Sequence, residues 1–539
     1  MKALCTYCQA PVESIDFVYN LDETGAVRDL LNDYPVMVRL VSLLEQELGR
    51  GLFFYSLAQL WSQTEHPTPA EGSRIVALQM PITAAPILAA LHQTDLWSED
   101  PAGQLMTLSA LLDLPAQGRE LDRLHRQLTS SQVLGQLPVE LITILDSRGS
   151  EVPVEVRHGL TGSRLSGKYC PKCFRPLSDL AGLHREVVVA LAGAERIGKT
   201  AVATAAVSYL LHPNPTGLEL LLPPEDDPKW SVFRDTCLRR YEQGLAVQKT
   251  HTAQTQALSV TLPLRIPQGR EQWNTVNLTI VDLPGEFFSE VIQDQWFAQY
   301  GKLYQNASVI WFPTDLAQLA QMRCPDAGYG YDGKEIQVDV PILRRNLNTL
   351  RQRLDTGGTE KPFCVILNKS DMAEAESHAP WLYTPEDVTD RYLTHSMLHE
   401  QHWGQLVSKV RRYFQTVNAS YLEVLEDAFP IRTFVALSAY GHPVDQNTPR
   451  INAPFNVAAP LIWSLAILSL LPVARLNADC RLEVAWMNRN GTPDDALLQN
   501  LGRPRYGPAG QPVFVLSRPP VSRRSCFLPF ARRGPRSFP

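Results

Sequence analysis

Residues 186–211 read EVVVALAGAERIGKTAVATAAVSYLL, and this stretch decides the fold. The short β-branched run from Glu186 to Ala192 is typical of a strand buried in a parallel sheet. The loop from Gly193 to Thr200 matches the pattern G-x-x-x-x-G-K-[ST] without a mismatch, and a helix-forming segment from Thr200 to Leu211 follows it. A strand, a glycine-rich loop and a helix in this order predict a phosphate-binding loop.

The residue types of this loop indicate its chemistry. Its two glycines let the backbone approach phosphate oxygens, while the loop amides and the positive end of the helix supply hydrogen-bond donors. Lys199 is expected to reach the β- and γ-phosphates and to act in catalysis, and the Thr200 hydroxyl is expected to bind Mg²⁺. A chance glycine-rich turn is the competing interpretation. The predicted nucleotide-binding residues of the loop are Gly193, Ala194, Glu195, Arg196, Ile197, Gly198, Lys199, Thr200 and Ala201.

A second motif, Asp282-Leu-Pro-Gly285, ends an apolar strand predicted at Leu278 to Val281. In a sheet with a phosphate loop, an Asp at the carboxyl end of such a strand faces the magnesium ion. Gly285 has no Cβ, so its amide can lie near the γ-phosphate. Alone this signal is weak, because many strands end in Asp followed by a Pro-Gly turn.

The tetrapeptide Asn368-Lys369-Ser370-Asp371, after another apolar strand, predicts which base is bound. The Asp371 carboxylate can accept hydrogen bonds from N1–H and the exocyclic amine of guanine, whereas adenine has no donor at either place. Asn368 and the stem of Lys369 are expected to hold and cover the ring. Ser438-Ala439 follows the next strand and can donate a backbone amide to the guanine O6. A surface turn is the alternative for the tetrapeptide taken alone.

Strand-like and helix-like segments alternate along the second half of the chain. This alternation predicts an α/β fold of the P-loop NTPase type, a mostly parallel sheet with helices on both faces. Upstream, Leu30 to Trp61 has helix-compatible spacing, and Leu141 to Arg157 resembles two strands around a turn. The remaining predicted strands are 307–312, 363–367 and 433–437, and the helices are 340–354 and 392–424.

In this order the motifs resemble the TRAFAC class of GTPases, over residues 184–473. Within that class, a cysteine-knuckle start and a large insertion resemble the bacterial double-GTPase family linked to conflict systems. The resemblance implies a magnesium-dependent, nucleotide-gated switch that hydrolyses GTP slowly and acts through a protein effector. It also implies a threonine that senses the γ-phosphate and Mg²⁺. Thr252 is chosen for this role, with Thr250 and Thr255 as alternatives.

Two positions depart from small GTPases and bear on hydrolysis. Glu286 stands where the class carries a Gln that orients water, and it is either catalytic or a solvated residue. Arg196, inside the phosphate loop, resembles the internal arginine finger of guanylate-binding proteins and atlastins, which acts on dimerisation. The alternative is that Arg196 faces solvent or pairs with a neighbouring carboxylate. A GTP-hydrolysing switch, activated when this domain forms a homodimer, is therefore one expectation, and a GTP-binding scaffold with negligible hydrolysis is the other.

Cys5, Cys8, Cys170 and Cys173 form two Cys-x-x-Cys knuckles that can bind one structural Zn²⁺. A redox-active pair is the rival interpretation, although neither pair follows a strand in a thioredoxin-like pattern. The predicted domain plan assigns 1–8 and 170–180 to the halves of a zinc ribbon and 9–169 to an inserted domain. It assigns 184–473 to the GTPase domain, and 474–539 to an extension whose Arg- and Pro-rich tail is disordered.

Composition sets limits on the remaining function classes. The 539 residues carry a formal net charge of −6, which gives no reason to expect nucleic-acid or anionic-membrane binding. Nine cysteines in a chain of this length do not indicate a disulfide framework, and the start has no secretory h-region, so a cytoplasmic location is expected. The apolar stretch from Val457 to Leu471 is either a short membrane segment or a helix buried against a sheet.

Overall fold

The structure, a computed structural model, describes a defined set of residues and forms two compact units. One unit is built from Val12–Asp179, and the other from Met1–Pro11 together with Leu180–Ser517. The described residues are 2–5, 8, 10–13, 16–62, 75–94, 97–115, 117–130, 132–145, 151–178, 181–182, 184–194, 197–214, 216–223, 227–247, 258–267, 273–282, 301–319, 340–354, 361–371, 393–394, 397–441, 452–476, 482–485, 499–500, 505–506 and 512–513.

The strands are numbered in chain order. They are β1 (Lys2–Leu4), β2 (Pro11–Glu13), β3 (Val18–Asn20), β4 (Phe54–Ser56), β5 (Ile75–Thr83), β6 (Val133–Leu145), β7 (Glu151–His158), β8 (Arg164–Ser166), β9 (Arg185–Leu191), β10 (Glu219–Leu220), β11 (Leu258–Pro267), β12 (Trp273–Asp282), β13 (Val309–Asp315), β14 (Phe363–Asn368), β15 (Leu393–Thr394), β16 (Met397–His399), β17 (Arg432–Ala436), β18 (Val473–Leu476), β19 (Leu482–Ala485), β20 (Gln499–Asn500), β21 (Arg505–Tyr506) and β22 (Pro512–Val513).

The helices are numbered in the same way. They are α1 (Ala26–Leu30), α2 (Pro35–Leu48), α3 (Leu57–Ser62), α4 (Ala85–Gln93), α5 (Pro101–Leu112), α6 (Arg119–Thr129), α7 (Lys199–Leu211), α8 (Pro228–Phe233), α9 (Arg239–Glu242), α10 (Leu316–Leu319), α11 (Val340–Leu354), α12 (Glu400–Ala428) and α13 (Ala459–Ile467). A π-helix, Arg234–Leu238, joins α8 to α9, and residues 301–306 are also helical.

The unit of residues 12–179 is an α+β assembly around an antiparallel sheet of order β5-β6-β7-β8. Strand β5 alternates exposed and buried residues, so one face of the sheet packs inward. The two strands predicted between Leu141 and Arg157 are confirmed as β6 and β7, although β6 begins earlier, at Val133. The helical pattern predicted from Leu30 onwards ends sooner than expected. Gly49 closes α2 in the left-handed conformation (φ 60°), and the chain then forms strand β4.

The second unit contains a seven-stranded sheet of order β10-β11-β12-β9-β13-β14-β17. Strands β12, β9, β13, β14 and β17 are parallel, and β10 and β11 add an antiparallel edge. Strand β9, which carries the β-branched run of the sequence, lies near the centre and is flanked by β12 and β13. The predicted mostly parallel α/β sheet is therefore confirmed. The carboxyl ends of its parallel strands meet at one edge, where ligands bind in such folds.

Side-chain contacts from β13 show that helices cover both faces of this sheet. The indole Nε1 of Trp311 donates to Ser464 Oγ of α13 at 3.0 Å. The hydroxyls of Thr314 and Tyr421, the latter on α12, are hydrogen bonded at 2.9 Å. Residues three apart in a strand point to opposite faces, so α13 and α12 lie on opposite sides of the sheet.

The apolar stretch from Val457 to Leu471 forms helix α13 and its flanks. All nine residues of α13 are buried, including Ser464, whose hydroxyl is satisfied by the Pro460 carbonyl. A helix that is apolar all round is expected inside a core. Among the residues that the structure describes, no helix is long and apolar enough to cross a membrane. The buried-helix interpretation is confirmed.

The helix predicted for 392–424 is wrong at both ends. Leu393–Thr394 and Met397–His399 are strands, and the latter pairs with β18. Helix α12 instead runs from Glu400 to Ala428 and is interrupted at Asn418 (φ −153°, ψ 82°). The Asn418 side chain accepts a hydrogen bond from the Tyr421 amide at 3.0 Å, so it caps a second helical segment.

Candidate nucleotide-binding site

The described part of the phosphate loop has the backbone geometry that its glycines predict. Gly193 (φ 139°) and Gly198 (φ 83°) both adopt conformations that other residues rarely take. A Cβ on Gly193 would lie 2.5 Å from Ile197 Cδ1, and one on Gly198 would lie 2.5 Å from Asn368 Nδ2. The backbone conformation therefore favours glycine at both positions, and another residue would also displace the Ile197 or Asn368 side chain.

The Lys199 side chain contacts the backbone at the start of this loop. Helix α7 begins at Lys199, and its ammonium Nζ donates to the carbonyl oxygens of Gly193 at 3.1 Å and Ala194 at 2.8 Å. The residue is only 8% exposed. A buried ammonium beside the amino end of a helix is a strong binding group for phosphate.

Thr200 and Asp282 are brought together, as the motifs predict. Asp282 ends β12 in register with Leu191, the last residue of β9, so it lies beside the start of the phosphate loop. The Thr200 hydroxyl donates to Asp282 Oδ2. Asp282 is 2% exposed, and its carboxylate and the hydroxyl are hard oxygen ligands. This pair fits the ligand set that Mg²⁺ takes in phosphoryl-transfer sites.

The predicted base-recognition segment is connected to the phosphate loop. Asn368 Nδ2 donates to the Ile197 carbonyl at 2.9 Å, across 171 residues of sequence. Lys369 adopts a left-handed backbone conformation (φ 58°), and its ammonium pairs with Asp315 Oδ2 at 2.7 Å. Asp371 follows at a partly exposed position. The two motifs thus share one edge of the sheet.

Asp315 is a residue of this site that the sequence analysis missed. It is fully buried at the end of β13, and strand register places it opposite Asn368 of β14. Its ion pair fixes the Lys369 stem, which we expect to cover the guanine ring. Because Asp315 lies 54 residues before Lys369, only the parallel pairing of the two strands could have indicated the contact.

The loop that begins with Ser438 and Ala439 lies next to the base-recognition segment. The Ser370 amide donates to the Leu437 carbonyl at 3.2 Å, and Leu437 donates to Leu367 at 2.9 Å. Ser438 exchanges backbone hydrogen bonds with Phe455 at 3.0 and 2.9 Å. The predicted guanine-binding elements therefore meet at adjacent strand ends.

Some predicted site residues lie outside the described residues. These are Glu195, Arg196, Thr252 with its alternatives Thr250 and Thr255, Gly285 and Glu286. Their proposed roles remain predictions from sequence.

The four knuckle cysteines are brought together. Their Sγ atoms all lie within 4.8 Å of one another. A tetrahedral zinc site with Zn–S bonds of about 2.3 Å requires S···S separations of roughly 3.8 Å. The Cys5 amide donates to the Ala10 carbonyl and the Cys170 amide to the Arg175 carbonyl, both at 3.0 Å. The four thiols fit a structural Zn²⁺.

Strand order, phosphate loop and base-recognition segment together define a P-loop GTPase. Residues 187–402 match the model of a family described as Double-GTPase 2. This match confirms the resemblance seen in the sequence and supports the assignment of this region as a double-GTPase P-loop GTPase. It also supports GTP binding and hydrolysis in general.

Several solved structures resemble part of the chain. The signal recognition particle receptor SRb-GTP/SRX complex from Chaetomium thermophilum is 16% identical, with 48% of this chain and 92% of that chain covered and a TM-score of 0.23. The S. cerevisiae Ski7 GTPase-like domain bound to GTP is 13% identical, over 60% and 59%, with a TM-score of 0.24. The G domain of the T. maritima FeoB iron transporter is 12% identical, over 47% and 89%, with a TM-score of 0.17.

The assignment of the fold rests on the strand order and the geometry of the site. The search of curated proteins gave no match.

Proposed function

We propose that this chain binds GTP with Mg²⁺ and hydrolyses it to GDP and phosphate as a nucleotide-gated switch. The observation that carries the proposal is the meeting of three separate motifs at one sheet edge. Thr200 contacts Asp282, and Asn368 contacts the Ile197 carbonyl of the phosphate loop. The residues proposed to bind phosphate, metal and base thus lie at one set of strand ends, which supports binding of a whole nucleoside triphosphate there.

Magnesium would be held by Thr200 and Asp282, with Thr252 as the third proposed protein ligand. When bound, it would neutralise charge on the β- and γ-phosphate oxygens. Lys199 would exchange its carbonyl acceptors at Gly193 and Ala194 for phosphate oxygens. This exchange replaces neutral acceptors by charged ones and favours the bound state.

The switch behaviour is proposed for the segments that contain Thr252 and Gly285. Loss of the γ-phosphate would remove the contacts that hold these segments. We further propose that Arg196 acts as an arginine finger when two copies associate, because a guanidinium near the transferring phosphoryl group stabilises transition-state charge. Glu286 is proposed to accept a proton from the attacking water.

Turnover measured over a wide range of protein concentration tests this proposal. With GTP and Mg²⁺, specific activity that rises with concentration is expected, and ATP should be hydrolysed at least about 100-fold more slowly. Arg196→Ala should remove the concentration dependence. Tight GTP binding without turnover at any concentration would favour the alternative, a GTP-binding scaffold for which the Gln-to-Glu change at Glu286 is the supporting feature. Equal turnover of ATP would contradict the nucleotide assignment.

We propose that the four knuckle cysteines bind one structural Zn²⁺, which joins the two halves of a zinc ribbon around residues 9–169. Cys173→Ser is expected to lower the zinc content, measured by inductively coupled plasma mass spectrometry, from about one ion per chain to near zero. Because metal-binding free energy is also folding free energy, the melting temperature should fall by about 5 °C or more.

Cys237→Ser is the matched control for the zinc experiment. Cys237 is buried and lies outside the knuckles, and burial raises the pKa of its thiol to about 11. This variant should keep its zinc whatever happens to its stability. A wild-type chain purified with no zinc and unchanged by chelators would contradict the proposal and favour the redox interpretation.

A further inference from the structure

Two tyrosines connect the loop after β17 to the segment that follows the π-helix. Tyr241, on α9, donates its hydroxyl to the Ala439 carbonyl at 2.7 Å. Tyr440 reaches in the opposite direction, where its hydroxyl accepts from the Val247 amide at 3.0 Å and donates to the Leu245 carbonyl at 3.3 Å. The two ring centroids are 5.1 Å apart. Each tyrosine thus holds the backbone of the other's segment.

Phe455 and Tyr241 together fix the two peptide planes that flank Ala439. The Ser438 carbonyl, in the preceding plane, accepts from the Phe455 amide at 2.9 Å. In a trans peptide the N–H points away from the carbonyl, so this contact sets the direction of the Ala439 N–H. The following plane is fixed by the hydroxyl of Tyr241. Gly441 adds a third constraint, since its amide donates to Ser438 Oγ at 2.8 Å.

The tyrosine pair is buried against the helix that starts at the phosphate loop. Tyr241 and Tyr440 are 3% and 8% exposed, and they pack in one cluster with Ala201 and Ala205 of α7. The small alanine side chains leave room for the two rings. Burial also raises the pKa of Tyr440 to about 12, and that of Tyr241 further, so both hydroxyls keep their protons near neutral pH. The Tyr241 backbone carbonyl is held in turn by Asn452.

We propose that Tyr241 is a positioning residue for guanine recognition, and that it acts by holding the peptide that follows Ala439, which keeps Ala439 at the place where its N–H meets the guanine O6. This inference rests on the proposed function, because it assigns a role within the same nucleotide site. Tyr241 itself touches no part of the base. It restricts the conformations of the loop that contains Ala439 before the nucleotide binds. Less conformational entropy is therefore lost on binding.

The Tyr440 contacts join the Ala439 loop to the segment that precedes the candidate switch threonines. The backbone held by Tyr440 at Leu245 and Val247 leads directly into residues 248–257, which contain the three candidate switch threonines.

Binding of three diphosphates to Tyr241→Phe tests the inference. GDP and IDP both carry O6 and differ in the exocyclic amine that Asp371 would accept, whereas 6-thio-GDP keeps N1–H and the amine but replaces O6 by a weaker acceptor. We expect the Kd of GDP and of IDP to rise by the same factor, about three- to ten-fold. The Kd of 6-thio-GDP should rise less than two-fold, because that ligand lacks the contact that Tyr241 supports.

Tyr421→Phe is the matched control, since it removes another buried tyrosine hydroxyl that is hydrogen bonded to Thr314 in the same unit. It should lower the melting temperature without changing the GDP to 6-thio-GDP ratio. An unchanged Kd of GDP in Tyr241→Phe, or an equal loss for GDP and 6-thio-GDP, would overturn the inference. A wild-type chain that does not bind GDP would instead refute the proposed function, so the two failures are distinguishable.

Discussion

Lys199→Ala is expected to weaken GTP binding by about 100-fold or more and to remove measurable turnover. The ammonium is the charged donor of the phosphate loop, and loss of a buried, charge-assisted contact is worth several kcal/mol. We expect the change to leave the fold intact, because the loop carbonyls of Gly193 and Ala194 that accept from the ammonium can accept from water instead. Titration with a fluorescent GTP analogue and a phosphate-release assay would measure both effects.

Lys361→Ala provides the control for that experiment. Lys361 is a half-buried lysine that also donates to a backbone carbonyl, that of Ala307 at 2.9 Å, and burial lowers its pKa. It lies just before β14, at the amino ends of the parallel strands and therefore at the edge opposite the nucleotide site. This variant should keep wild-type GTP affinity. If both variants bound GTP equally well, the phosphate loop would not be the nucleotide site.

Asp371→Asn is expected to weaken GTP binding by about 100-fold or more and to improve binding of xanthosine triphosphate. Two hydrogen bonds to a carboxylate are each worth about 1.5–3 kcal/mol. Asparagine keeps one acceptor but presents an NH₂ group to the guanine amine, so two donors face each other. Xanthine carries a carbonyl at that place, and this carbonyl can accept a hydrogen bond from the asparagine NH₂ group. Competition of both triphosphates against labelled GDP would measure the exchange of specificity.

The gain for the xanthine nucleotide is the internal control, because a variant that had merely lost its fold would bind neither base. Asp371 is partly exposed and lies at a strand end, so its replacement disturbs little of the core. Loss of GTP affinity with no gain for the xanthine nucleotide would place the base contact elsewhere. Retention of GTP affinity would contradict the assignment of this residue.

A site residue can be predicted from the sequence when it belongs to a contiguous motif at the end of an apolar strand. Lys199, Asp282 and Asn368 are found this way, because strand ends of a parallel sheet share one edge. Asp315 and Tyr241 are not found, since their partners lie 54 and 198 residues away and no local pattern marks the contact. Such contacts are fixed only when the strands have paired.

Elements of the fold are likewise predictable when a local sequence pattern marks them, and are missed when they depend on pairing with a distant strand. The buried parallel strands are visible as short β-branched runs, and helix α11 has the bounds that its pattern predicts. Strand β11 is missed because Pro263 interrupts its apolar run, and a proline argues against a strand inside a sheet. The helix predicted from 392 begins too early for a similar reason, because β16 pairs with β18, more than 70 residues later, as well as with β15.

The position of α13 in the chain has a consequence for the synthesis of the protein. The face of the sheet that carries Trp311 is covered by residues 459–467. Every nucleotide-site motif, by contrast, has been synthesised once the chain reaches Ala439. A nascent chain therefore holds a completed set of binding motifs on a sheet whose apolar face is still bare, for about 30 further residues of elongation. Fragments that end before α13 should aggregate or recruit chaperones, and GTP cannot rescue them, because the missing layer is not at its site.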